Sequence, residues 1–173
     1  MTHFSHFNLK VKFILEDAEK KQIEDKYLEL QKSSRNGNDG VINLHSASIN
    51  EAYTVLKDDI KRANYILKLL KVDLENYTMP QDLIEYIIDV RDDLSDSEEE
   101  EEIKNKIADI ELELEEARQL FEESIVRAQE KEIKSEAVKK EVALCFMRFK
   151  CLHEIIKKYK KNSSLSGNAL NSL

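Results

Sequence analysis

Four histidines (His3, His6, His45, His153) and two cysteines (Cys145, Cys151) are the side chains best able to ligate a metal or attack an electrophile. Their spacing denies that chemistry. His3 and His6 bracket two residues, with no acid or cysteine nearby at ligand spacing. Cys151 and His153 project to different faces of one helical pattern. Cys145 and Cys151 lie six apart, and no C-x-x-C occurs, so there is neither a disulfide framework nor a cluster-ligand set. A Gly-rich phosphate loop, an H-E-x-x-H helix and a nucleophile elbow are all absent from the sequence. The adjacent acids Asp92 and Asp93 read as helix surface. The histidines read as surface or boundary residues. The expectation is a protein that is not an enzyme and holds no metal or cofactor.

Binding chemistry is better supported. In the segment LIEYIIDVRDDL, Ile84 and Ile88 are four apart, and Glu85, Asp89 and Asp92 line the neighbouring strip. Leu83, Ile87, Val90 and Leu94 serve a core on the other side. A helix apolar on two faces is either nearly fully buried or has its second face covered by a partner.

The elements that would position this strip are helical throughout. Residues 4–15 form a short first element rich in Phe. Asp17 suits the N-cap of a helix running to about Ser33, with Ile23, Tyr27 and Leu30 as its inward stripe. The segment SSRNGNDG reads as a turn, since Gly and Asn both tolerate positive φ. Ser48-Ile49-Asn50-Glu51 has capping-box spacing for the next helix, whose buried side is Ile49, Ala52, Tyr53 and Leu56. A break at Lys57-Asp58-Asp59 leads to a further helix ending near Val72. Pro80 opens the helix that carries the strip.

Residues 95–102, SDSEEEEE, read as a solvated linker or helix start, favoured there by the macrodipole. Two long helices follow. Ile103, Ile107, Ile110, Leu114, Ala117, Phe121 and Ile125 recur at fours and threes. So do Val138, Val142, Cys145, Phe149, Leu152, Ile156 and Tyr159. Such stripes pack antiparallel around one seam, with the turn near residues 131–134.

Composition narrows the partners. With 27 basic against 35 acidic side chains the net charge is −8, which repels phosphate backbones and disfavours nucleic acid. No apolar run approaches a membrane span, and the first residues lack a signal-peptide core, so the cytoplasm is the expected compartment.

Several features lie in order between Ser46 and Leu74: the S-A-x-I-N-x-A-[WY] helix, the run Lys61-Arg62-Ala63-Asn64-Tyr65, and the closing Asp73-Leu74. Together they resemble the end of the J domain in HscB-type co-chaperones of iron–sulfur cluster assembly. The opening H-F-S-H-F-N-L is similar too, with Asn8 where the family has Gly. The resemblance implies an all-α protein. It would comprise an N-terminal J-domain-like helical hairpin (1–75), a C-terminal three-helix scaffold-binding bundle (76–162) and a flexible tail (163–173).

The resemblance also implies partners. The family's bundle binds an IscU-type scaffold through an L-M-x-x-L-E-x-x-E pattern, which falls on Ile84, Glu85, Ile88, Asp89 and Asp92. A basic residue followed by an aromatic in the last helix falls on Lys150 and Cys151 if Phe149 belongs to the seam. The alternative alignment uses Arg148 and Phe149. The HscA-type heat-shock ATPase would meet the loop after the second helix. Here the family's His-Pro-Asp is replaced by Arg35-Asn36-Gly37, and the third helix looks shortened at its start. Lys20, Lys21, Lys26 and Lys32 are interleaved with acids, which dilutes the second helix's positive field. The function implied is delivery of the scaffold to the ATPase. The alternatives are a scaffold adaptor that has lost ATPase stimulation, or a repurposed helical interaction module.

Overall fold

The computed structural model describes residues 2–35, 40–97, 99–130 and 135–169, and the regular structure among them is helical, as expected of an all-α chain. Contacts divide the chain into two units, Met1–Lys71 and Val72–Leu173.

In the first unit α1 (His3–His6) is a single turn. The Thr2 hydroxyl accepts from the Ser5 N–H, and the Ser5 side chain accepts from the Thr2 N–H, so two orphan donors are satisfied at once. The chain leaves α1 through Asn8 at φ 57°, in the left-handed region. Asn is the residue other than Gly that enters this region most readily, which explains how it stands where the resembled family has Gly. Phe4 and Phe7 just before it are fully buried.

Helix α2 (Asp17–Arg35) starts one residue earlier than expected. Glu16, not Asp17, is the cap: its carbonyl accepts from the Lys20 N–H, and its N–H donates to the Glu19 carboxylate at 2.8 Å. The larger correction concerns α3 (Gly40–Lys57), an 18-residue helix that begins well before Ser46. Ser48 is therefore mid-helix and caps nothing; its hydroxyl lies 3.1 Å from His6 Nε2 instead. Helical turns thus precede Ser46.

The rest of that motif holds the unit together. Ile49 and Ala52 are buried. Asn50 accepts from the Gln31 amide of α2 at 2.6 Å, and Tyr53 stacks on Tyr27 with ring centroids 3.9 Å apart.

Asp58 caps α4 (Asp59–Leu69) by accepting from the Lys61 N–H at 2.9 Å. On α4, Arg62 is 2% exposed. Its Nε donates to the Phe13 carbonyl at 2.7 Å, and its two other nitrogens reach the Leu56 carbonyl and the Asp59 carboxylate. The guanidinium also lies over the Phe13 ring, 5.3 Å from its centroid. Tyr65 stacks on His3 at 4.2 Å and accepts its backbone N–H at 2.9 Å. The Arg-Ala-x-Tyr run thus ties α4 to the chain preceding α2 and to α1.

In the second unit a short 3-10 turn (Leu74–Asn76) precedes α5 (Gln81–Asp96), α6 (Glu100–Glu130) and α7 (Glu136–Ala169). Pro80 is the cap residue of α5 rather than its first helical one. Helix α7 takes in residues 163–169, the first part of the segment expected to be a tail. The turn expected at residues 131–134 lies outside the described residues.

Helices α6 and α7 run antiparallel: Arg127 pairs with Glu141 at 2.6 Å, while Glu111, about four turns earlier on α6, pairs with Lys160 much later on α7. Their seam is built on Phe121, which stacks on Phe149 at 6.2 Å and meets Phe146 at 5.6 Å. Phe146 lies off the expected stripe yet is fully buried, whereas Cys145 on the stripe is only partly so. Phe146 is buried against Phe121 of α6, so the seam itself takes in more of α7 than a four-and-three stripe; Ala143 and Ile155 are buried as well.

Two stability predictions follow from the first unit. Arg62→Met should cost about 3 kcal/mol or more in urea unfolding, because it strands buried carbonyls and leaves Asp59 without its cation. Lys71 follows α4 at φ 53°, where a Cβ is unfavourable. Lys71→Gly should therefore stabilise by about 0.5–1 kcal/mol and raise the thermal midpoint by a few degrees.

Candidate functional site

Helix α5 buries one side and offers the other to solvent. Ile87 and Leu94 are buried, and Leu83 and Val90 partly so. Ile84 is 41% exposed and Ile88 50% exposed, so within this chain the second apolar face is uncovered. Of the two readings that the sequence allows, near-complete burial of this helix is the one the structure removes.

Glu85, Asp89 and Asp92 are exposed beside the isoleucines. Glu85 accepts from the Gln81 amide one turn earlier, at 2.8 Å. The strip is therefore two half-exposed branched side chains rimmed by carboxylates. Such a surface suits a partner offering an apolar patch with cations around it.

Lys150 and Cys151 lie on α7. Lys150 is exposed and Cys151 is partly buried. Burial pushes the Cys151 thiol above its usual range, and the nearby cations Arg91 and Lys150 only partly offset that rise. The Cys145 thiol is raised in the same way, chiefly by burial. Both are held as neutral thiols, poor nucleophiles that act as small apolar side chains. Arg91 matters for placement. It stands three residues after Ile88 and seven after Ile84, on the same face of α5, and its charge reaches Cys151. Arg91 is thus an exposed cation on the strip's face of α5. Arg91 was absent from the sequence-derived set, although its i+3 and i+7 spacing marks it.

Phe149 is fully buried, stacked on Phe121 and 5.7 Å from His153, so it has no surface to offer. Arg148 is exposed and lies 3.6 Å from Glu113.

The second candidate region is less complete. Arg35 is the last residue of α2, while Asn36 and Gly37 lie outside the described residues. Lysines near the start of α2 are partly engaged: Lys20 with Asp17 at 3.1 Å, and Lys12 with Glu19 at 2.7 Å. Among the described residues no group of histidine, cysteine and acid residues could hold a metal ion, and no helix is long and apolar enough to cross a membrane.

No family model matches the chain. In sequence it is similar to the J-type co-chaperone JAC1, mitochondrial, of Saccharomyces cerevisiae. The two are 34% identical over 84 residues, 40% of this chain and 46% of the yeast protein. The match thus spans less than half the length of that relative.

In structure the chain is similar to the chaperone HscB from Vibrio cholerae, with a TM-score of 0.74 at 15% identity over 95% of this chain and 99% of that one. It is also similar to the human co-chaperone protein HscB, with a TM-score of 0.68 at 19% identity, covering 92% and 82% of the two chains. The chain resembles HscB-type co-chaperones: it has their fold along nearly its whole length and, over part of it, sequence similarity to a J-type co-chaperone.

Proposed function

We propose that this protein is a J-type co-chaperone of iron–sulfur cluster assembly. In this reading it is not an enzyme; it binds an IscU-type scaffold and delivers it to an HscA-type heat-shock ATPase. The observation that carries the reading is the half-exposed Ile84–Ile88 pair, rimmed by Glu85, Asp89 and Asp92, on α5 of a chain with the HscB fold. Lys150 and Cys151 extend the proposed contact onto α7. The apolar pair supplies the affinity. Burying each isoleucine fully is worth about 1.5–3 kcal/mol, of which the half already covered in the free protein is not regained. The acids supply orientation and steering toward a basic surface. The proposed compartment is the cytoplasm, while the yeast relative carries a mitochondrial name.

The absence of His-Pro-Asp from the sequence favours a second reading, a scaffold adaptor that does not stimulate ATP hydrolysis. Proline fixes φ and the aspartate supplies a carboxylate; Asn36 and Gly37 provide neither.

Two experiments test these readings. Ile84→Ala combined with Ile88→Ala should weaken scaffold affinity at least tenfold by calorimetry, about 1.4 kcal/mol, with helicity unchanged. Wild-type affinity in the double variant would refute the strip. Replacing Arg35-Asn36-Gly37 by His-Pro-Asp should raise single-turnover ATP hydrolysis by the chaperone above the level reached with the natural loop, scaffold being present. Equal rates would show that the loop does not limit stimulation.

A further inference from the structure

Helix α5 carries the strip but is thinly anchored. Of its 16 residues only Ile87 and Leu94 are buried. Beside it lie two open spaces, one of about 210 Å³ against α6 and α7 and one of about 170 Å³ against α6, the latter lined by Tyr86, Val90, Leu94, Lys106, Ile110 and Glu113 among others.

 The larger space opens at the start of α5, beside Pro80, Asp82 and Leu83; the smaller runs along its second half. Side chains facing a gap lose dispersion partners, so apolar packing alone holds the rotation of α5 weakly.

Polar contacts flank the gap. The Tyr86 hydroxyl donates to Glu113 Oε2 at 2.6 Å, and the same oxygen lies 3.6 Å from Arg148 Nη2 of α7. At the far end Lys106 donates to the Asp93 carbonyl at 3.2 Å and to Ser97 Oγ at 2.8 Å. Lys106 grips a backbone group and a cap residue, which fixes the end of the helix. Tyr86 is different. It lies two residues from both Ile84 and Ile88, about 200° around the helix from each, so anchoring it inward turns the isoleucines outward. Burial first, and then the bond to Glu113, holds the Tyr86 phenol above its usual range, so it remains a donor.

We propose that Glu113 is the positioning residue of the α5 strip: by accepting the Tyr86 hydroxyl beside Arg148, it locks the rotation that presents Ile84 and Ile88 to the scaffold. This inference rests on the strip being the scaffold-binding surface. Glu113 itself touches no partner in this scheme and acts through Tyr86.

The test uses the full chain and two readouts, amide hydrogen exchange over residues 81–96 and scaffold affinity by calorimetry. Glu113→Ala should speed exchange in α5, leave the α6–α7 seam protected, and weaken scaffold binding about fivefold, the worth of an ordinary hydrogen bond. Glu113→Gln keeps a carbonyl acceptor for Tyr86 and should restore both readouts; the exposed pair with Arg148 that it loses counts for little. Tyr86→Phe should match Glu113→Ala, and the double variant should be no worse than either single one. Unchanged exchange in α5, or additive losses in the double variant, would overturn the proposal. Faster exchange with unchanged affinity would overturn it as well. A wild-type protein that binds no scaffold would refute the functional reading, while the exchange data would still decide whether Glu113 holds α5.

Discussion

The first unit depends on one buried cation. Arg62 sits where the segment before α2, the end of α3 and the start of α4 converge, and it gives each a donor. Burying a guanidinium is costly unless its donors are satisfied, so the side chain accepts only an arrangement that brings those acceptors together. A planar fork with donors in fixed directions does this; a lysine, with its point charge, would not. The aromatic opening of the chain then closes over the same region, with Phe13 under the guanidinium and Tyr65 against His3. What looks in the sequence like a basic patch, Lys61-Arg62, is half surface and half core.

The second unit follows a different logic. Its long helices make their own support through Phe121, Phe146, Phe149 and the aliphatic seam around them. That leaves α5 free to divide its residues between holding on and facing outward. A helix that presents two isoleucines to water gives up their burial in the free protein, a loss set against the extensive apolar burial between α6 and α7. The polar links through Glu113 and Lys106 take over part of the work that packing does elsewhere in the bundle.

Much of this was legible beforehand. The α6 and α7 stripes, the break at Asp58 and the two-faced character of α5 are local patterns with a period, and a period can be read without knowing the partner. The failures are equally physical. Ser48 has the spacing of a cap, but spacing cannot say whether the helix has already begun, and the turns before it set its role. Asp17 lost the cap position to Glu16 because a carboxylate three residues on, Glu19, could close the N-terminal turn. Cys145 and Phe146 exchanged rank because Phe146 is the one that meets Phe121 across the seam, a contact that spacing along α7 alone does not reveal.

By itself the sequence determined that the chain would be helical, where most helices break, and which residues of α5 could form an apolar strip edged with acids, because backbone propensity and side-chain period are properties of neighbours in the chain. Only the tertiary structure decided that Ile84 and Ile88 stay uncovered and that Arg62 is buried. Burial and electrostatic pairing depend on what residues distant in sequence bring alongside, and that is settled only when the helices pack.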